Sequence, residues 1–143
     1  MTTTPKPAPV TVRGLCNVSY FADDVSAAAR WYADAFGVEP YFARPEAPEP
    51  PAYVEFRLGD AQDELGIVDR RFAAAGTAGD GGVVVHWHVD DLPAAYQAMC
   101  DRGAQPVQPP TERGAGFVTA AVRDPFGNVL GLMYSPHFAA SLT

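Results

Sequence analysis

Apolar and polar side chains alternate along two stretches of this chain, and the two stretches read alike. From Asn17 to Ala22, Val18, Tyr20 and Ala22 share one face of an extended strand, while Asn17, Ser19 and Phe21 share the other. From Val84 to Val89, Val85, Trp87 and Val89 form an apolar face opposite Val84, His86 and His88. Each stretch runs into an Asp-Asp pair, Asp23-Asp24 or Asp90-Asp91, and then into a helical pattern. Ala28, Trp31, Tyr32, Ala35 and Phe36 recur at helical spacing, so one stripe of the first helix is apolar. Asp24 or Ser26 can accept from its free N–H groups, and Gly37 supplies a left-handed stop. In the second helix Pro93 occupies the first turn, where a missing N–H costs little, and Gly103 ends it. The copies lie about 66 residues apart, and each closes on a like strand, Leu65-Gly66-Ile67 or Leu130-Gly131-Leu132.

The remaining elements fit the same repeat. Strand one is expected over Val12 to Ala22, a short strand over Val38 to Ala43, a Pro/Glu loop over Arg44 to Pro51, and strands at Tyr53 to Leu58 and Glu64 to Val68. In the second half, strands are expected at Val83 to Val89 and Ala104 to Gln108, a loop at Pro109 to Gly116, a strand at Phe117 to Arg123, a turn at Asp124 to Asn128, and a last strand at Val129 to Tyr134. The order is βαβββ twice. The expected boundaries are a flexible tail at 1–10, a first module at 11–72, an Ala/Gly-rich linker at 73–82 and a second module at 83–138.

Composition narrows the function classes. The chain has 143 residues, 48% of them hydrophobic, enough for one well-packed domain. No apolar run reaches the roughly 18 residues that span a bilayer, so no membrane partner is expected. The Thr/Pro-rich start lacks the apolar stretch of a signal peptide, and a cytoplasmic location is the expectation. The net charge is −7, and the longest basic run is Arg70-Arg71, which argues against nucleic acid. Cys16 and Cys100 lack metal or redox spacing and are expected to be buried thiols in a strand and a helix.

The order and several motifs resemble the vicinal oxygen chelate superfamily, the glyoxalase/bleomycin-resistance/extradiol-dioxygenase fold. The run Asp124-Pro125-Phe126-Gly127-Asn128-Val129-Leu130-Gly131-Leu132-Met133 looks like its closing hairpin, and Asp24 with Trp31-Tyr32 and Phe36-Gly37 matches its first-module signature. The resemblance covers about Arg13 to Phe138. It implies an α+β fold in which two βαβββ modules form a half-open barrel around a cleft, commonly in a homodimer. It implies no single activity, because the fold hosts metalloenzymes and plain binding proteins alike.

In metal-dependent members the ligands come from the first and last strands of each module. Carried over, those positions are Asn17, Val84, Gly66 and Gly131. A divalent metal needs imidazole nitrogen or carboxylate oxygen. Glycine and valine offer neither, and Asn is a weak single ligand, so neither a metal nor another cofactor is expected. Glu64, two positions from Gly66, would return a ligand if the register slipped. Strand-interior glycine is unfavourable unless something approaches the backbone closely. Gly66 and Gly131 are therefore expected to leave room for a larger organic ligand, with a bulge or tight sheet packing as the alternative.

If the apolar face of each first strand packs on helices, Asn17, Ser19 and Phe21 face the cleft together with Val84, His86 and His88. The two imidazoles can hydrogen-bond a ligand or neighbouring side chains, act as acid or base near neutral pH, or hold a metal at a shifted site for which no third ligand is evident. Tyr53 and Glu55, with Arg57, share a strand face that can line the cleft or its rim. Phe117 and Met133 are candidate apolar walls, Arg113 lies on a loop that can cover the ligand, and His137 is expected at the surface or a dimer contact. Aromatic walls with a few polar groups suit a small organic molecule. The reading is a metal-independent binding protein that sequesters a bulky, partly aromatic natural product or antibiotic. The alternative is an enzyme, a lyase, isomerase, cyclase or dioxygenase, working through His86 or His88 or a relocated metal.

Overall fold

The computed structural model describes residues 2, 3, 7, 9, 15–73 and 84–142. Of the expected tail at 1–10 only residues 2, 3, 7 and 9 are described, and of the expected linker at 73–82 only residue 73.

The first module runs β1 (Val18–Ala22), α1 (Val25–Phe36), β2 (Phe42–Arg44), β3 (Tyr53–Leu58) and β4 (Asp63–Asp69), then one short 3-10 turn (Arg70–Phe72). The second runs β5 (Val85–His88), α2 (Leu92–Asp101), β6 (Gln105–Gly114), β7 (Phe117–Arg123) and β8 (Val129–Tyr134), followed by α3 (Pro136–Ser141). The capping residues act as their chemistry requires. Asp24 Oδ1 accepts from Ala27 N at 3.0 Å and Asp91 Oδ1 from Ala94 N at 3.1 Å. Gly37 closes α1 at φ +66°, a conformation costly for any residue with a Cβ.

Two four-stranded sheets result, ordered β1-β4-β3-β2 and β5-β8-β7-β6. Their registers are equivalent. Val18 pairs with Leu65 and Ser19 with Gly66 in the parallel β1–β4 ladder; Val85 pairs with Leu130 and His86 with Gly131 in the β5–β8 ladder. Each helix packs on its own sheet over an apolar layer that includes Tyr20, Tyr32, Phe56, Leu65 and Ile67 in one module and Leu92, Leu130 and Leu132 in the other. These side chains are nearly or wholly buried.

The half-open barrel is not formed. Barrel closure needs a continuous ring of ladder hydrogen bonds, about eight strands in the small filled cases. Here neither sheet closes or curls, and each ladder ends at its own edge strand, β1 or β5. Side chains join the modules instead. Trp87 Nε1 donates to Tyr20 OH at 3.2 Å, and Asn128 spans the seam by accepting from Phe21 N and donating to Phe21 O.

Other boundaries also differ. β1 begins at Val18, so Leu15–Asn17 of the expected strand stand ahead of it and its residues 12–14 lie outside the described residues; β2 is confined to Phe42–Arg44. The expected loop at Pro109 to Gly116 is largely strand: β6 continues to Gly114, with register shifts against β7 at Pro106/Gln108, Gln108/Thr111 and Glu112/Gly114. Prolines fit there because β6 is an edge strand, where a missing N–H interrupts only one ladder. Cys16 is exposed ahead of β1, so it is not a buried strand thiol, and Cys100 is half-buried on α2. No helix among the described residues is long and apolar enough to cross a membrane.

Candidate functional site

The two modules meet along a seam that is tied at one end and open at the other. The tie is the Asp124–Asn128 turn. Asp124, 3% exposed, accepts from Tyr32 OH, from Phe126 N at 2.9 Å, from Asn128 N at 2.8 Å and from Asn128 Nδ2 at 2.8 Å. Arg70 Nη2 donates to Phe126 O at 2.7 Å, and Trp31 Nε1 donates to Arg102 O at 2.9 Å, so both halves grip this end. By register equivalence, Asp124 and Asn128 correspond to Leu58 and Asp63 of the first module. Neither can repeat the clamp: Leu58 has no hydrogen-bonding side chain, and Asp63 offers only acceptors where Asn128 also donates.

A cavity of about 540 Å³ lies at this untied end. Leu15, Val18 and Leu58 bring apolar surface from the first module; Val85, Trp87, Met133 and Phe138 bring it from the second. Asn17, Glu64, His86 and His88 add polar groups, as do Asp60, Asp63, Asp90 and Ser135.

The two histidines differ. His86 is exposed, and its ring edge packs over Gly131, where a Cβ would come within 2.8 Å of Cδ2. The His88 side chain is 8% exposed. Its Nδ1 accepts from Ser135 N at 3.1 Å, its Nε2 lies 3.4 Å from Asp90 Oδ1, and its ring stacks on Phe138 at 4.7 Å. With Nδ1 an acceptor, the proton of neutral His88 belongs on Nε2.

A second polar constellation occupies the open face of the first sheet. Asn17 Nδ2 donates to Glu55 Oε1 at 3.3 Å, Tyr53 OH donates to the same oxygen at 2.5 Å, and Tyr41 OH donates to Oε2. Ser19 Oγ donates to Asn17 Oδ1 at 3.0 Å. Removal from water and the neighbouring Glu64 carboxylate raise the Glu55 pKa above its ordinary value, and Arg57 opposes them. The Arg57 guanidinium itself lies over the Tyr41 ring at 4.2 Å.

Of the residues singled out from sequence, the cavity brings together Asn17, His86, His88 and Met133. Ser19, Tyr53 and Glu55 lie on the neighbouring sheet face around Gly66. Phe21 lends its backbone to the tie, and Val84 stands exposed before β5. Arg113 is not on a covering loop: it lies in β6, donating to Thr119 Oγ1 at 2.9 Å, while Phe117 packs edge-on against His137. The glycines do not leave empty space. The Tyr53 ring fills the place beside Gly66, and Val85 O, His86 and Val84 crowd Gly131. Sequence reasoning missed the Leu58–Asp63 turn, Phe138 of α3 and Leu142 just beyond it as lining. The available signal was the contrast between Asp124-Pro125-Phe126-Gly127-Asn128 and Gly59-Asp60-Ala61-Gln62-Asp63.

The residues at the fold's metal positions do not fit a metal. Asn17 and Val84 supply no strong ligand, and a carboxylate side chain at residue 66 or 131 would start from a Cβ within 2.7 Å of Tyr53 or of Val85 O. Among the described residues no group of three or more His, Cys, Asp and Glu side chains is placed to hold one.

The sequence profile of the Glyoxalase/Bleomycin resistance protein/Dioxygenase superfamily matches residues 14–132, and the chain belongs to that family. Among solved structures it is similar to TioX from Micromonospora sp. ML1, with 19% identity, a TM-score of 0.67, and 85% of this chain and 98% of that one covered. It is also similar to a glyoxalase-related enzyme from Fulvimarina pelagi, with 18% identity, a TM-score of 0.68 and coverage of 87% and 90%. A glyoxalase/bleomycin resistance protein from Catenulispora acidiphila shares 23% identity with a TM-score of 0.60 and coverage of 86% and 100%. Identities this low show the fold alone. No curated protein matches the chain.

Proposed function

We propose that this chain is a metal-independent small-molecule-binding protein that holds a bulky, partly aromatic compound at the seam between its modules, in the manner of antibiotic sequestration. The cavity of about 540 Å³ carries this reading, being of ligand size and apolar over most of its wall, with a few polar groups to orient a guest. The bleomycin-resistance name carried by the Catenulispora protein agrees with it. We further propose a homodimer, because Val38, Tyr41 and Phe42 expose apolar surface on the first module.

One observation favours an enzyme as the second reading. His86 lines the cavity, is exposed and makes no hydrogen bond among the described residues, which leaves its nitrogens available for proton transfer. His88 has both nitrogens engaged.

The experiment is native mass spectrometry of untagged protein, followed by calorimetry of any retained compound with the parent and His86→Ala. A binding protein loses affinity in the variant, by about 1–3 kcal/mol if His86 makes a buried hydrogen bond to the guest. Turnover of the compound by the parent, abolished in His86→Ala with affinity kept, replaces the binding reading with the enzymatic one. Elemental analysis is expected to find no stoichiometric divalent metal, and one tightly held ion per chain overturns the metal-independent part. Light scattering at micromolar concentration is expected to give about twice 15.2 kDa; a monomer throughout refutes the dimer.

A further inference from the structure

We propose that α3 is a lid on the seam cavity, that His88 is its latch, and that protonation of His88 opens it. This rests on the seam cavity being the binding site. The first support is position. Ser135, Phe138 and Leu142, from the start, middle and end of the α3 segment, all line the cavity, as does His88 itself.

The second support is how α3 is attached. It has six residues, too few to be stable without tertiary contacts. Its Ser135 cap holds the first turn by accepting from Phe138 N at 3.2 Å. Two of its sheet-side attachments converge on one imidazole: Ser135 N donates to His88 Nδ1, and Phe138 stacks on the ring with an interplanar angle of 25°. Pro136 packs over Gly116. His137 adds an edge contact to Phe117 farther along the sheet. No residue of α3 itself is buried.

The third support is the chemistry of the latch. Neutral His88 accepts at Nδ1 and donates from Nε2 toward Asp90. Imidazolium donates from both nitrogens, so it keeps Asp90 and turns an N–H against the Ser135 N–H. Protonation therefore removes the lid's hydrogen bond while leaving the ring in place. The groups facing His88 are Asp90 after β5, Tyr134 of β8 with its ring centre at 5.4 Å, and Ser135 and Phe138 of the lid. The lid is thus closed while His88 is neutral and released when it is protonated. The other titratable imidazoles nearby are His86 on the same strand and His137 on the lid.

The test uses the full chain labelled with 15N, without any natural ligand. At pH about 8, the imidazole nitrogen spectrum is expected to show His88 protonated on Nε2, with a scalar coupling from Ser135 N across the hydrogen bond to Nδ1. On lowering the pH to about 5, that coupling disappears and the amides of residues 135–142 shift together. In parallel, Nile red, whose charge does not change in this range, serves as the cavity probe. Its release from the parent is expected to be about five- to tenfold faster at the lower pH, the scale of losing one hydrogen bond. His88→Gln keeps an acceptor but cannot titrate, so its release rate should not change with pH; His137→Gln should behave like the parent. Nδ1 protonated at pH 8, or lid amides indifferent to pH, overturns the latch. Lid amides that shift while dye release stays constant overturn the gate but not the cavity. Failure of Nile red to bind at pH 8, with the spectra as expected, counts against the cavity as a binding site.

Discussion

The phenol of Tyr53 lies across Gly66, so close that a Cβ on residue 66 would sit 2.7 Å from its Cε2 and 2.8 Å from its hydroxyl oxygen. Gly66 is thus the floor under an aromatic ring that holds Glu55 and Asn17 in place. Gly66→Ala is expected to cost about 1–3 kcal/mol, because the ring must lift from the sheet. In a Tyr53→Ala background the same change should cost little, since the obstacle is a side chain. Gly131→Ala should cost more and resist rescue by His86→Ala, because the contact at 2.7 Å is with the Val85 carbonyl of the backbone. Urea unfolding of the two double-mutant cycles checks this. Additivity at Gly66 would show that Tyr53 does not crowd it, and rescue at Gly131 would show that the obstacle is the His86 ring and not the backbone.

Asp124 should be the most sensitive polar position in the seam. Asp124→Ala strands the Tyr32 hydroxyl and the Phe126 and Asn128 N–H groups without an acceptor. A destabilisation of about 3–5 kcal/mol is expected, against about 0.5 kcal/mol or less for the exposed Glu39→Ala. Denaturant midpoints measure both, and a small effect at Asp124 would mean that the turn holds itself.

Two phenols should resist alkaline titration. Burial raises the Tyr20 pKa to about 12, and burial followed by the Asp124 charge pushes Tyr32 well above the ordinary phenol range. The unfolded chain releases these protons at lower pH than the folded one does. Their contribution to stability is therefore full below the ordinary value near 10 and is lost as pH rises toward and beyond about 12. Of the six tyrosines, two should ionise at 295 nm only together with unfolding. A simple titration of all six in the folded protein contradicts the burial of this pair.

Glu55 should take up its proton at higher pH than an exposed glutamate, and Glu64→Gln should bring it down by removing the second carboxylate. Because the folded-state value is raised, this group's contribution to stability falls as pH rises through the interval between the ordinary and the raised value. Carboxyl 13C titration of parent and variant decides it. An unchanged Glu55 midpoint in Glu64→Gln assigns the whole shift to removal from water.

The parts of the fold set by local chemistry were legible in the sequence. Asp24, Asp91 and Gly37 bound their helices as their side chains, or the lack of one, require, and the alternation around Tyr20 and Trp87 assigned the apolar faces. Where several local preferences compete, the outcome depends on distant partners. Pro106, Pro109 and Pro110 read as a loop, yet pairing with β7 carries β6 through them as a bulged edge. α3 is too short for periodicity to show, and its seat is His88, 47 residues before Ser135. Parity correctly separated Asn17 and His86 from the core but could not locate the opening. That depends on Tyr32 finding Asp124 across 92 residues and on the absence of such a clamp at Leu58.

The two copies of one hairpin have thereby divided their labour. In the second module the β7–β8 turn is spent on cohesion: its carboxylate and amide are saturated by partners on both sides of the seam. In the first, the equivalent turn makes no such commitment, and its exposed Asp60 and Asp63 look onto the cavity. Sequence change at Asp124 or Asn128 is penalised in stability, whereas change at Asp60 or Asp63 alters the polar rim of the cavity at little structural cost. A duplicated fold of this kind can therefore vary its cavity through one turn while its twin keeps the molecule in one piece.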